Sequence, residues 1–188
     1  MGTPTSEKPT VPAKEMAQPE ESTSELAAYR NMVATVAAAA DGRVIVNRSE
    51  AHAAVVIEHV IKSAKQQIDI LTGELHRPIY GDDNVVASAV NFFKANPQGT
   101  MRILSERPVS EDHPFLAALA SVRDRIDLRI MSAAEKTPKF HLAVADGKSF
   151  RFEPDKNKYE AFGQFGEPVI GEKLKSAFER LHNAAPAA

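Results

Sequence analysis

Apolar positions change period several times along the chain, and each change marks an element. From Glu25 to Ala40, Leu26, Tyr29, Val33, Val36, Ala37 and Ala40 fall on one stripe at helical spacing, and Asp41-Gly42 supplies a stop. The pattern predicts an amphipathic helix over 25–42, whose Ala-rich face either packs on its own domain or, over 25–40, meets another subunit or a partner protein. Arg43 to Asn47 is short and β-branched, and Ser49 is placed to cap a helix running to Lys65 with Ala53, Val56, Ile57, Val60, Ile61 and Ala64 as its core face. Gln67 to Thr72 alternates as a strand. After a loop holding Pro78, Gly81 and Asp82, Asn84 to Ala95 reads as a helix stopped by Asn96-Pro97. Thr100 to Ser105 is a strand, Pro114 opens a helix through Val122, and Ile126 to Met131 is a further strand.

The last third reads differently. Lys139 to Ala145 and Lys148 to Glu153 flank Asp146-Gly147, the strongest hairpin signal in the chain. A loop from Pro154 to Glu167 leads to a closing helix from Pro168, with Val169, Ile170, Leu174, Ala177, Phe178 and Leu181 on its buried face. Strands alternating with helices and followed by a hairpin predict the α/β class: a mixed sheet flanked by helices on both faces, with substantial parallel pairing.

Composition bounds this domain, which covers 43–184 of 188 residues. Residues 1–24 hold four of the twelve prolines and almost nothing to bury, so a disordered Pro-rich tail is expected there, and a short tail at 185–188. The chain has no Cys, which removes disulfides, thiolate catalysis and Cys-bound zinc. A formal net charge of −2 creates no basic field of the kind that announces nucleic-acid binding by itself. No stretch approaches the roughly 20 apolar residues of a membrane span, so a soluble, cytoplasmic protein without a membrane partner is expected.

Phosphate-binding glycine loops, G-x-S-x-G and H-E-x-x-H are absent. His52 and His59 lie seven apart on one helix, too distant to share a metal, and are expected on its surface. His113 before Pro114 reads as a cap, and His182 as complementing the end of the last helix. No metal site or cofactor is expected. His76 stands apart, because loops after strand carboxyl ends carry sites in open α/β sheets.

Chemistry concentrates in P-K-F-H-L-A-V-A-D-G-K-S-F-R-F-E, which starts at Pro138. On a strand Lys139, His141, Ala143 and Ala145 share one side, and the small alanines are expected to leave space beside the imidazole and ammonium groups. Ser149, Arg151 and Glu153 alternate on the return strand. An ammonium, an imidazole and a guanidinium on one surface suit the oxygens of a phosphodiester.

This stretch resembles the phospholipase D-like superfamily, whose signature is H-x-K-x4-D-G on a strand and hairpin. Anchored on Asp146-Gly147, the chain reads K-x-H-x4-D-G: Lys139 falls at the family's His, His141 at its Lys and Asp146 at its Asp. Ile68 to Thr72 and Met101 to Leu104 look like the family's opening α/β unit, with T-G-E-L, containing Glu74, and the loop holding His76 near its active edge. E-A-F-G-Q-F-G-E-P-V-I-G-E-K-L-K-S-A-F-E-R-L looks like the segment that closes a family repeat, a strand followed by a helix. The likeness covers one half-unit, from about Arg43 to Ala184.

In that family the motif His is a nucleophile that forms a phosphohistidine, a His of a second motif is the general acid, the Lys holds phosphate oxygens, and no metal is required. The resemblance therefore implies His141, Lys139 and Asp146 as catalytic positions, with Arg151, Glu153, Glu74 and His76 as ligand contacts. It also implies a homodimer that brings two motifs together. The pattern departs where the chemistry lives, since Lys139 is no substitute for a nucleophilic His and a two-residue shift moves the imidazole about 6 to 7 Å. The leading expectation is a degenerate module that recognises a phosphodiester or other polyanion, nucleic acid included, without family-type turnover. The alternatives are a metal-independent phosphodiesterase or nuclease with a rearranged site, and a structural protein-interaction subunit.

Overall fold

A computed structural model describes residues 23–131, 137–158 and 160–186. Its elements run α1 (Thr23–Ala39), β1 (Ile45–Asn47), α2 (Glu50–Ser63), β2 (Gln67–Thr72), α3 (Arg77–Tyr80), α4 (Asp83–Ala95) and β3 (Thr100–Ser105). There follow α5 (Pro114–Ala118), a 3-10 turn (Ala120–Arg125), β4 (Ile126–Ile130), β5 (His141–Ala145), β6 (Ser149–Glu153), β7 (Ala161–Gln164) and α6 (Pro168–Ala184). The expected tail lies outside the described residues up to 22, and α1 begins two positions before the predicted helix start, at Thr23.

The strands form one mixed sheet in the order β1-β7-β6-β5-β2-β3-β4. Parallel pairing is confined to β2, β3 and β4; β2 pairs β5 antiparallel, and the remaining neighbours are antiparallel. β1 does not extend the parallel half. It pairs with β7 at the far edge, three residues long.

Alternation divides the strands between two cores. Ile68, Ile70, Ile103, Ala143 and Ala145 face a core built with α2, α4 and the inner side of α1. Leu71, Leu104, Leu142, Val144 and Phe150 face Phe178 of α6. Burying a side chain of this size is worth about 1.5–3 kcal/mol, so two opposed apolar faces account for helices on both sides.

Helix α2 is buried at every position from Ala53 to Ile61 because it lies between the sheet, α1 and α4. His59 is therefore 8% exposed and packed inward, with Nδ1 2.9 Å from the Val55 carbonyl, which corrects the surface placement expected of it. The alanines beside His141 also have a different use from the expected one. Ala143 and Ala145 are buried in the α2 core, and a Cβ on Gly163 of β7 would come within 2.8 Å of Val56 Cγ1. Small residues on β5 and β7 thus admit a close helix and leave no open space there.

The stripe of α1 is occupied on its own domain. Val33 and Val36 are buried, Tyr29 stacks on His52 with ring centroids 3.6 Å apart, and Arg30 pairs with the buried Glu58 of α2. That contact gives Glu58 a second cation beside Lys62, its i+4 neighbour.

Local signals place several ends. Ser49 accepts from the His52 N–H to cap α2, and the His113 ring accepts from Phe115 N–H to cap α5. Asp146 and Gly147 take φ of 52° and 65°, the paired positive values of a two-residue hairpin turn. The predicted helix over 114–122 stops at Ala118 and tightens into the 3-10 turn, with Val122 off helical geometry. The 154–167 stretch contains β7, where periodicity alone reads a loop and the phospholipase D-like resemblance reads a strand. Val169 and Ile170 are exposed at the start of α6, before the helix settles on the sheet through Gly171, Phe178 and His182.

Candidate functional site

A cavity of about 380 Å³ opens where the parallel strands end and β5 begins. Its wall takes Thr72, Gly73 and Glu74 from the end of β2, His76, Ile79 and Tyr80 from the α3 region, and Ser49, Glu50 and Ala53 from the amino end of α2. Arg107 follows β3, His141 and Leu142 open β5, Arg151 and Glu153 come from β6, and Lys156 to Lys158 from the following loop. Helices and strands thus point opposite backbone ends at one space: strand carboxyl ends on one side, the N-terminus of a 14-residue helix on the other.

His141 is the central group. It sits directly across from Glu153 in the β5–β6 register, and its Nδ1 is 3.5 Å from Glu153 Oε2. Its Nε2 is 3.6 Å from Glu106 Oε1 and has no hydrogen-bond partner. Glu106 in turn accepts from Lys156 Nζ at 2.7 Å on both oxygens. Arg151, 6% exposed, donates from Nε to Asn47 Oδ1 at 3.3 Å and from Nη1 to Glu153 at 3.3 Å. Burial works to raise the Glu153 carboxyl, but the contact with His141 and the charge of Arg151 outweigh it and hold the pKa below the usual carboxylate range. Burial pushes the Tyr80 phenol up, so it stays protonated as a neutral lining group.

Each Lys and Arg that lines the wall meets a carboxylate. Arg107 meets Glu74 at 3.2 Å, Lys156 meets Glu106, Arg151 meets Glu153, and Lys158 meets Asp155 at 3.5 Å. At the mouth, Glu50 in the first turn of α2 reaches His76 Nε2 at 2.7 Å, joining two sides of the opening. Among the described residues, no group of three or more His, Asp or Glu side chains is placed to hold a metal ion.

Of the residues singled out in the sequence, His141, Arg151, Glu153, Glu74 and His76 line this one cavity. Lys139 and Asp146 do not join them. Lys139 lies exposed on a bend before β5, whose pairing starts only at His141, so its ammonium is not fixed on the strand face as expected. Asp146 follows the opposite end of β5, five residues or about 16 Å along the strand from His141. There its carboxylate accepts the backbone N–H groups of Lys65, Gln66 and Gln67 at 2.7 to 3.0 Å.

Glu106, Lys156, Arg107 and Asn47 were not legible as site residues. A weak signal existed for Glu106 and Arg107, a charged pair directly after a strand of the parallel set. Lys156 gave none, in a loop of mixed charge.

The fold is that of the phospholipase D family. Nuc, a phospholipase D family member from Salmonella typhimurium, superposes with a TM-score of 0.53 at 16% identity over 79% of this chain and 99% of that one. NucT from Helicobacter pylori does so with a TM-score of 0.51 at 10% identity over 79% and 100%. TrmBL2, an archaeal chromatin protein described with a novel mode of DNA binding, gives 0.50 at 14% identity over 88% and 63%. Residues 47–187 match the family model DUF7931, a domain of unknown function, and the chain belongs to that family. No curated protein matches it in sequence.

Proposed function

We propose that this chain is a phospholipase D-like module that recognises a single phosphodiester group without the turnover of that superfamily. The observation that carries the reading is the cavity in which His141, Arg151 and Lys156 converge at the strand ends, facing the amino end of α2. Donors of this kind suit an anion with two free oxygens. The altered motif supports the absence of turnover: Lys139, at the nucleophile's motif position, lies outside the cavity wall, and the imidazole of His141 has the Glu106 carboxylate in front of Nε2. Pairing of each Lys and Arg of the wall with a carboxylate favours one phosphate over a long polyanion, nucleic acid included. A homodimer, as the single motif unit implies, belongs to the same reading, as does a cytoplasmic setting; no described helix is long and apolar enough to cross a membrane.

One observation favours a catalytic alternative, because a carboxylate beside Nδ1 orients an imidazole, as in nucleophile–base pairs where a third group holds the base. A binding and cleavage screen separates the two. The probes are bis(4-nitrophenyl) phosphate and short single- and double-stranded DNA and RNA. Salt-sensitive binding without hydrolysis, weakened about tenfold in Lys156→Ala and unchanged in Lys139→Ala, is the expected result. Cleavage that persists in EDTA and disappears in His141→Ala establishes the phosphodiesterase instead. Neither binding nor cleavage leaves the chain as a structural interaction protein.

A further inference from the structure

The Glu106 carboxylate has the surroundings of a bound ligand. It carries one negative charge on two oxygens, as the free oxygens of a phosphodiester do. Both oxygens take the Lys156 ammonium at 2.7 Å, and one lies 3.6 Å from an imidazole nitrogen that has no other partner. The Glu106 side chain is 14% exposed, so the group is largely withdrawn from water, and it lies against Lys156 and His141, two residues that line the cavity. Its backbone is fixed, with the N–H bonded to the Thr72 carbonyl at 3.0 Å, whereas the carboxylate is held only by side chains. Lys156 is likewise anchored through its backbone, to the Lys139 carbonyl at 2.9 Å. Rotation about the Glu106 side-chain bonds therefore suffices to empty the position without moving either strand or loop.

We infer that Glu106 is a built-in competitor that occupies the phosphate position in the free protein and must swing out when a phosphodiester monoanion takes its place on Lys156 and His141. The inference rests on the phosphodiester-binding reading. It goes beyond that reading in assigning the free protein an occupied, low-affinity site and in naming the residue that sets the affinity. The carboxylates that line the wall are engaged elsewhere: Glu153 with Arg151, Glu74 with Arg107 and Glu50 with His76. Lys156 is held by Glu106, from just beyond the wall. An anion entering beside an undisplaced Glu106 would meet like charge at contact distance in a partly dry cavity, so exchange is favoured over co-occupancy.

The test is the affinity of the full chain for bis(4-nitrophenyl) phosphate, measured by calorimetry for the wild type, Glu106→Gln, Lys156→Ala and the double variant. Gln keeps the size and removes the charge. Glu106→Gln is expected to bind about tenfold more tightly than the wild type, and the gain should vanish in the double variant. If the wild type binds and Glu106→Gln binds no better, the competitor role is overturned while the binding reading stands. If neither the wild type nor Glu106→Gln binds, the phosphodiester reading falls, and the competitor role with it. A second measurement needs no variant: in the wild type, the carboxyl carbon resonance of Glu106 should shift as the diester saturates the site. A resonance that stays in place at saturation refutes displacement.

Discussion

Asp146 holds three backbone N–H groups at the entry to β2 from a left-handed turn residue, with φ of 52°. Charge-assisted bonds of this kind are worth about 1.5–3 kcal/mol each before the loss is shared with water. Asp146→Ala should therefore lower unfolding stability by roughly 2–3 kcal/mol in a denaturant titration, while affinity for bis(4-nitrophenyl) phosphate stays at the wild-type value. A fall in affinity with unchanged stability would return Asp146 to the site. The contrast with His141 is positional. Both flank one strand, but only the end at the carboxyl edge of β2 and β3 faces the cavity.

Buried histidines couple several elements to pH. His59 in α2, His113 at the cap of α5 and His182 in α6 all have pKa values below the usual imidazole value, burial being the largest cause in each. Lys62 and Arg30 add to the effect at His59 and Arg77 at His113, against the opposing pull of Asp112; at His182, Asp127 opposes while Arg129 and Arg102 reinforce. In this arrangement the unfolded chain binds more protons than the folded one. The stabilisation is complete above about pH 6.5 and is lost as pH falls through the lower folded-state values. Glu153 acts in the same direction at more acid pH, since its carboxyl is also held low. Tm should thus hold above about pH 6.5 and decline from there to about pH 5, and a Tm that is flat or rising between about pH 6.5 and pH 5 would contradict the assignment.

For the whole molecule, the informative quantity is assembly. The chain covers 99% and 100% of the Nuc and NucT chains it superposes on. The proposed homodimer predicts twice the 20.5 kDa chain mass in light scattering at tens of micromolar. A single-chain mass would remove the dimer and with it the pairing of two motifs. The helix reserved as an arm is already committed to its own domain through Val33, Val36 and Arg30, so the surface of association has to lie elsewhere than on that stripe.

Short-range chemistry was readable in the linear chain. Helix and strand periods, the Ser49 and His113 caps, the Asp146-Gly147 turn and the alternation that puts His141, Arg151 and Glu153 on one face depend on residues within a few positions of each other. β7 escaped the period because Gly163 is kept small for Val56 of α2, a contact across more than a hundred residues. His59 was misplaced for a similar reason, since a helix buried on all sides differs from a surface helix only in what packs against its outer face. The pairing of Glu106 with Lys156 and His141 lay beyond any sequence window. It exists because β2 pairs parallel with β3 and antiparallel with β5, which brings the loop after β3, the start of β5 and the loop after β6 to one edge of the sheet. Local sequence therefore determined the elements and the residue types facing each side, while strand order, a property of the whole chain's packing, decided which charged groups meet.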